Sequence, residues 1–331
     1  MSASILGLDI GGANLKAAHS TGGAWLQPFP LWKNPPGLVV ALRDLLQRVP
    51  GYEQLAVTMT GELCDCFGTK REGVNAILDA VVAAAGSAPV RVWQTNGRFV
   101  DVAAARCAPL STGAANWLAL ATYVARLMPD RCGVLLDAGS TTTDVVPFAK
   151  GDPMPVGRTD FDRLHSHELI YTGVRRTPVC ALLGAEGAAE LFATTLDIYL
   201  VLGDLPEDKT NCDTADGRPA TKEAAYARLA RMLCTDLESF SPPEIDSLAR
   251  RLNVRQLTLL QTALRQVAAR LPKPAQTVVL AGSGEFLARA ALQATPSLAA
   301  VPILSLAERA SPGVSEAACA YALAMLATDD L

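Results

Sequence analysis

Twice in this chain an apolar strand runs into Asp-x-Gly, turns, and begins a second apolar strand. The first copy is LGLDIGGANLKAA, residues 6–18; the second lies in CGVLLDAGSTTTDVVPF, residues 132–148, with Asp9 aligned on Asp137. One such hairpin asks only for a turn, which glycine supplies because it tolerates positive φ. An aspartate beside exposed turn N–H groups equally suits a metal ion and anionic oxygens. Either copy alone is compatible with both readings. A second copy with matching strands on both sides says more, because internal duplication implies one structural unit used twice.

The pattern between and after the copies alternates strand and helix. Residues 4–10, 14–19 and 24–31 read as strands, and 37–48 as an amphipathic helix announced by Pro35-Pro36. A buried strand is expected at 54–60, a helix at 72–86, a strand at 89–95 and an apolar helix at 113–128. Near the end, TVVLAGSGEFLARAAL (277–292) reads as strand, glycine turn and helix, and 313–326 as a packed core helix. The turn Gly282-Ser283-Gly284 is an ordinary strand-to-helix turn or a seat for phosphate or ribose at a helix N-terminus.

At 331 residues the chain has room for two lobes. Half its residues are hydrophobic, which excludes a disordered protein, and a net charge of −4 argues against nucleic-acid binding. No long apolar run or secretory leader is present, so a cytoplasmic protein without membrane partners is expected. The eight cysteines form no CxxC pair, and Cys64 and Cys66 have no nearby partners for zinc. In a reducing compartment they read as buried apolar residues or spectators. His165 and His167 read as loop residues, and three histidines leave little room for a histidine metal site or a Ser-His-Asp triad.

The three motifs in order, Asp9-x-Gly11-Gly12, Asp137-x-Gly139-Ser140 and Gly282-Ser283-Gly284, resemble the actin/sugar-kinase/Hsp70 superfamily. DAGSTTTDVVP is similar to its hydantoinase/oxoprolinase group. TMTGELCDCFGTKREGV (58–74), GRTDFDRLHSHELIYTGVRRTPV (157–179) and DTADGRPATKEAAYARLARML (213–233) resemble a short-chain branch tied to tetrahydromethanopterin-linked one-carbon metabolism and methanofuran biosynthesis. The resemblance covers roughly residues 4–328; the chain is too short for the extra domains of large hydantoinase subunits. It implies an α/β, ribonuclease H-like duplicated fold of actin type, with two lobes around a cleft. Lobe I would be 1–115 joined by the C-terminal helix 306–331, and lobe II 116–305 with a helical insert at about 160–275. It also implies Mg²⁺ at Asp9 and Asp137, with ATP or ADP as a further occupant. Phosphate or nucleotide contacts would fall to Gly11, Gly12, Gly139, Ser140, Thr141, Thr142, Gly282, Ser283 and Gly284.

The implied activity is a transferase joining an aminomethylfuran diphosphate to the phenol of γ-glutamyltyramine, with diphosphate released. Such chemistry needs cations on the leaving group, for which Lys16, Arg175 and Arg176 stand out. A phenol with an ordinary pKa of about 10 gains from a base. Glu62, just past a buried strand, is the first candidate and Asp65 the second. Lys70, Arg71 and Glu72 read equally as a charged helix entrance or as catalytic groups. Asp213, Asp216 and Gly217 read first as a turn, Trp93, Phe99 and Trp117 as core, and Asn96 and Asn116 as possible cleft residues. The competing readings are a small-molecule kinase, a hydantoinase/oxoprolinase-type enzyme, or a nucleotide sensor without turnover. A homo-oligomer is left open.

Overall fold

The computed structural model describes residues 4–329. Two mixed sheets carry the duplication. In the first, the order is β3-β2-β1-β4-β5-β6, from β1 (Ile5–Ile10), β2 (Asn14–His19), β3 (Ala24–Pro28), β4 (Gln54–Met59), β5 (Val90–Trp93) and β6 (Phe99–Val100). The second contains β7 (Cys132–Ala138), β8 (Thr143–Ala149), β9 (Asp152–Pro153), β10 (Leu169–Ile170), β11 (Thr277–Ala281) and β12 (Ile303–Ser305). Its order is β10-β8-β7-β11-β12, with β9 on β8. Each sheet is built the same way: an antiparallel hairpin (β1–β2, β7–β8) whose first strand continues into two parallel neighbours (β4 and β5, β11 and β12). Parallel strands are covered on both faces, which is why β1 and β11 are buried along their whole length.

Helices Leu38–Gln47 and Lys70–Ala85 close a core on the first sheet, with Leu42, Leu45, Val74 and Ile77 against Leu8, Leu55 and Val57. The second sheet packs against the helices of the insert, above all the 27-residue helix Pro242–Ala268. Between the sheets, helices Asn116–Leu127 and Ala318–Asp329 pack on each other, and the latter lies across β1, β2 and β4.

The expected strands and helices are found with ends shifted by a few residues. Two local expectations change. The single helix at 313–326 is two helices, Pro312–Glu316 and Ala318–Asp329, parted at Ala317. His165 sits not in a loop but in the last turn of helix Asp160–His165, bonded to Phe161 O at 2.7 Å and stacked on the Phe161 ring. Trp93 and Phe99 form an edge-to-face pair in the core, as expected. Among the described residues no helix is long and apolar enough to cross a membrane.

Candidate active site

The two hairpins have the same register. Asp9 pairs across to Lys16 and Asp137 to Asp144; each turn is closed by the first glycine, Gly11 N to Asn14 O at 3.0 Å and Gly139 N to Thr142 O at 2.9 Å. Both aspartates end a central strand, and they come together within electrostatic reach of each other, of Lys16 and of Asp144. Burial raises the pKa of Asp9, with Lys16 opposing and Asp144 adding. Burial, then the like charge of Asp144, pushes Asp137 up to about 7. One buried oxygen of Asp9, Oδ1, has no hydrogen-bond partner in the protein.

Lys16 does not form a close ion pair with either aspartate. Its ammonium donates to the carbonyl of Glu316 at 2.8 Å, the last residue before the helix break. Asp144, absent from the sequence-derived site, is the second hairpin's counterpart of Lys16. Arg163 answers its charge: Nη2 donates to Asp144 Oδ1 at 2.6 Å and to Glu168 O at 3.0 Å, and the guanidinium lies 3.8 Å from the Trp117 ring centroid. Trp117 is core, as expected, and also the floor beneath this cation. The signal for Asp144 was present in the duplication, since it follows Asp137 by the interval separating Lys16 from Asp9. Cys319, also unforeseen, donates its S–H to Asp137 Oδ2 at 3.8 Å and accepts from Asn116 Nδ2 at 3.6 Å. Asn96 instead bonds Gln94 beside β5.

Glu62 follows β4, whose end is stitched to the first hairpin by Thr60 N and Gly61 N, both donating to Ile10 O. It is 2% exposed, with Oε1 3.6 Å from Lys70 Nζ and Oε2 unpartnered. Burial raises its pKa, Lys70 opposes this, and Asp160 adds to it. A Cβ at Gly113 would stand 2.9 Å from its carboxyl carbon and Oε1, so only glycine there leaves the side chain its place. Asp65, the second candidate base, is exposed. Of the charged entrance, Lys70 faces Glu62, whereas Glu72 caps the helix start by accepting from Gly68 N at 2.7 Å.

The two arginines are placed by their backbone at the second turn: Arg175 N and Arg176 N donate to Ser140 O at 3.0 and 2.9 Å. Arg175 lies within electrostatic reach of Asp208; Arg176 stacks over Trp32 at 4.8 Å and reaches Asp213 at 3.4 Å. Ser140 and Thr141 hydroxyls lie 3.4 Å apart at the turn, and Thr142 supplies its closing carbonyl. The third glycine turn is largely self-satisfied: Gly282 N donates to Ser315 O and Oγ and Gly284 N to Ala138 O, with Ser283 between them. Gly12 accepts from Leu31 N through its carbonyl. Asp216 sits in a turn with Gly217 at positive φ, held by the buried Arg228 at 3.0 Å and by Arg231.

Among the described residues no three His, Cys, Asp or Glu side chains gather closely enough to ligate one ion directly. The site does fit a hydrated Mg²⁺, which keeps most of its waters and asks for one or two carboxylates. The unpartnered Asp9 Oδ1 opposite Asp137 provides that.

A duplicated pair of hairpins presenting carboxylates to each other between two such sheets defines the actin-like ATPase fold. Solved structures agree: a nucleotide-free acetone carboxylase, from work on ATP-dependent acetone carboxylation, matches 96% of this chain and 70% of its own with a TM-score of 0.60 at 10% identity. A PilM–PilN type IV pilus biogenesis complex matches at a TM-score of 0.51 and 13% identity, over 98% and 99% of the two chains. The hydantoinase/oxoprolinase family profile matches residues 53–330, and the chain belongs to that family. It is 36% identical to a Methanocaldococcus jannaschii protein named (4-{4-[2-(γ-L-glutamylamino)ethyl]phenoxymethyl}furan-2-yl)methanamine synthase, over 97% of each chain. A Methanococcus vannielii protein of the same name is 31% identical over 64% of this chain and 97% of its own.

Proposed function

We propose that this protein is a transferase that makes the furfuryl–phenol ether of a methanofuran-type one-carbon carrier. The full-length identity to a synthase of that ether carries the reading. The donor is an aminomethylfuran diphosphate and the acceptor γ-glutamyltyramine. Glu62 takes the phenol proton, the phenolate oxygen bonds to the furfuryl carbon, and the carbon–oxygen bond to diphosphate breaks with its electron pair leaving on diphosphate. A carboxyl raised above its ordinary range by burial, with one free oxygen, suits a base working near neutral pH. Lys16 offsets the charge gathering at the leaving group, and the hydroxyls of Ser140, Thr141 and Thr142 donate to it. Mg²⁺ bound at Asp9 and Asp137 would add charge neutralisation of the diphosphate oxygens. In keeping with the fold, the 1–115 and 306–331 segments would move as one lobe and 116–305 as the other. Eight unpaired cysteines accord with a cytoplasmic enzyme acting on small molecules in one-carbon metabolism linked to tetrahydromethanopterin.

The test is purified protein and Mg²⁺ with the furan diphosphate and glutamyltyramine, followed by mass spectrometry of the ether and by diphosphate release. Ether formed together with diphosphate supports the reading. The second reading is an ATP-using enzyme of the same fold, favoured by the likeness to acetone carboxylase. ATP with sugar or amino-acid acceptors runs in parallel, and ADP release without any ether would replace the first reading with the second.

A further inference from the structure

Arg176 and Trp32 lie in segments tied to opposite hairpins. Leu31 N donates to Gly12 O at 2.8 Å, which fixes Trp32 beside the first turn, while Arg176 N donates to Ser140 O on the second. The cation–π contact of 4.8 Å therefore bridges the segments held at the two turns. The Trp32 side of this contact is also tied to the segment carrying Glu62, through Cys66 Sγ–H to Leu31 O at 3.9 Å. Arg176 acts electrostatically on Cys64, two residues beyond Glu62, and on Tyr171, which also feels Glu62 and Asp160. The guanidinium thus belongs to the Glu62 end of the cleft. Lys16 serves the Asp9–Asp137 end.

A guanidinium stacked by its face on an indole keeps its N–H edges directed outward, the arrangement that receives a carboxylate by two parallel hydrogen bonds. Among the described residues the edge is held by Asp213, at 3.4 Å, whose own side chain is 71% exposed. Such an exposed pair is weak and readily exchanged for another carboxylate. We infer that Arg176, stacked on Trp32, binds the carboxylate of the acceptor's glutamyl head while its phenol lies at Glu62, making Arg176 a determinant of acceptor specificity. This rests on the ether-forming reading above and departs from the sequence-based expectation that Arg176 acts on the diphosphate.

Glutamyltyramine and tyramine share the phenol and differ in the glutamyl head, so they separate the two roles. Steady-state kinetics on each acceptor, and calorimetric binding of each to the full-length enzyme, are compared for the native chain, Arg176→Ala, Arg176→Lys and Trp32→Ala. The native enzyme should prefer glutamyltyramine, and Arg176→Ala should cut that preference about ten- to a hundredfold, as expected for one charge-assisted carboxylate contact. Arg176→Lys and Trp32→Ala should each lose part of it, one for want of the fork and the other for want of the stack. The calorimetric preference should fall in parallel. Equal loss on both acceptors, with the preference intact, would return Arg176 to the leaving group and overturn the inference. Calorimetry showing a native preference that Arg176→Ala leaves unchanged would also overturn it. Absence of ether from either acceptor with the native chain, while glutamyltyramine still binds through Arg176, would instead strike the transferase reading alone.

Discussion

The two hairpins have one backbone and opposite electrostatics. Each ends its central strand in an aspartate and faces it with the residue seven positions on, but that residue is Lys16 in the first copy and Asp144 in the second. The first hairpin thus carries its own cation, and Lys16 needs only a helix-end carbonyl, Glu316 O, to hold it. The second is doubly acidic and borrows its cation from the insert, where Arg163 reaches Asp144 from helix Asp160–His165. Duplication preserved the strand geometry while the charge pattern diverged. The Asp9–Asp137 end of the cleft is assembled from one self-sufficient half and one half that depends on a later segment.

The largest effect expected from breaking this comparison is at the shared position. Asp9→Asn and Asp137→Asn should each lower Mg²⁺-dependent turnover by at least about a hundredfold, the scale of losing one preorganised charge contact. Circular dichroism should show both variants folded, since asparagine keeps the size of each side chain and removes a charge that burial opposes. A variant with native turnover removes its aspartate from the metal site.

Glu62→Gln tests whether chemistry lies with the segment after β4 rather than with either hairpin. Loss of a general base should slow turnover roughly 10²- to 10⁴-fold, with the defect shrinking as pH nears the phenol pKa. Its raised pKa also fixes a sign for stability. The folded state holds the Glu62 proton to higher pH than the unfolded chain, so stability present below the unfolded value falls as pH rises through the folded one. Glu62→Gln should flatten that part of a denaturation–pH profile, and a profile parallel to the native one would show that the burial effect is absent.

The charge partners should respond unequally. Arg163→Met leaves Asp144 buried without its cation and should destabilise by about 3–5 kcal/mol in urea unfolding. Lys16→Met removes a single charged bond to a carbonyl and should lose about 1–3 kcal/mol. Adding Asp144→Asn to Arg163→Met should recover much of the larger loss; no recovery would mean that Arg163 matters through Trp117 and Glu168 instead. The smallest difference is at the turn glycines. A Cβ at Gly11 would meet Asn14 O at 2.9 Å, whereas at Gly139 the nearest atom, Thr142 O, is at 3.4 Å. Gly11→Ala should thus lower stability by about 1–3 kcal/mol and Gly139→Ala by under about 1 kcal/mol. Equal losses would show that the turns differ less than their backbones indicate.

The strands, the duplicated aspartates and the family were legible because they are local: apolar runs, glycine turns and a repeated spacing all lie within short windows. The buried position of Glu62 just past β4 followed from its place after an apolar strand. What escaped was long-range. Nothing near Asp144 shows that a cation 19 residues on will fold back onto it over Trp117. The run at 313–326 is apolar enough for one helix, yet Ala317 departs from helical geometry, and the freed end at Glu316 takes the Lys16 ammonium. Arg175 and Arg176 looked alike as neighbours, but they meet different groups: Arg175 acts electrostatically on Asp208, while Arg176 lies over Trp32 and pairs with Asp213.

The stacking of Arg176 on Trp32 has an optical consequence. Of the four tryptophans, Trp93 and Trp117 are sealed in the core, the latter beneath Arg163, and Trp25 lies in β3, whereas Trp32 is half-buried with the Arg176 guanidinium over its ring. Indole emission is sensitive to a charge held against the ring, so departure of the guanidinium would shift it. The Arg176–Trp32 contact therefore carries its own fluorophore, and its loss on adding acceptor can be timed by stopped flow without any label.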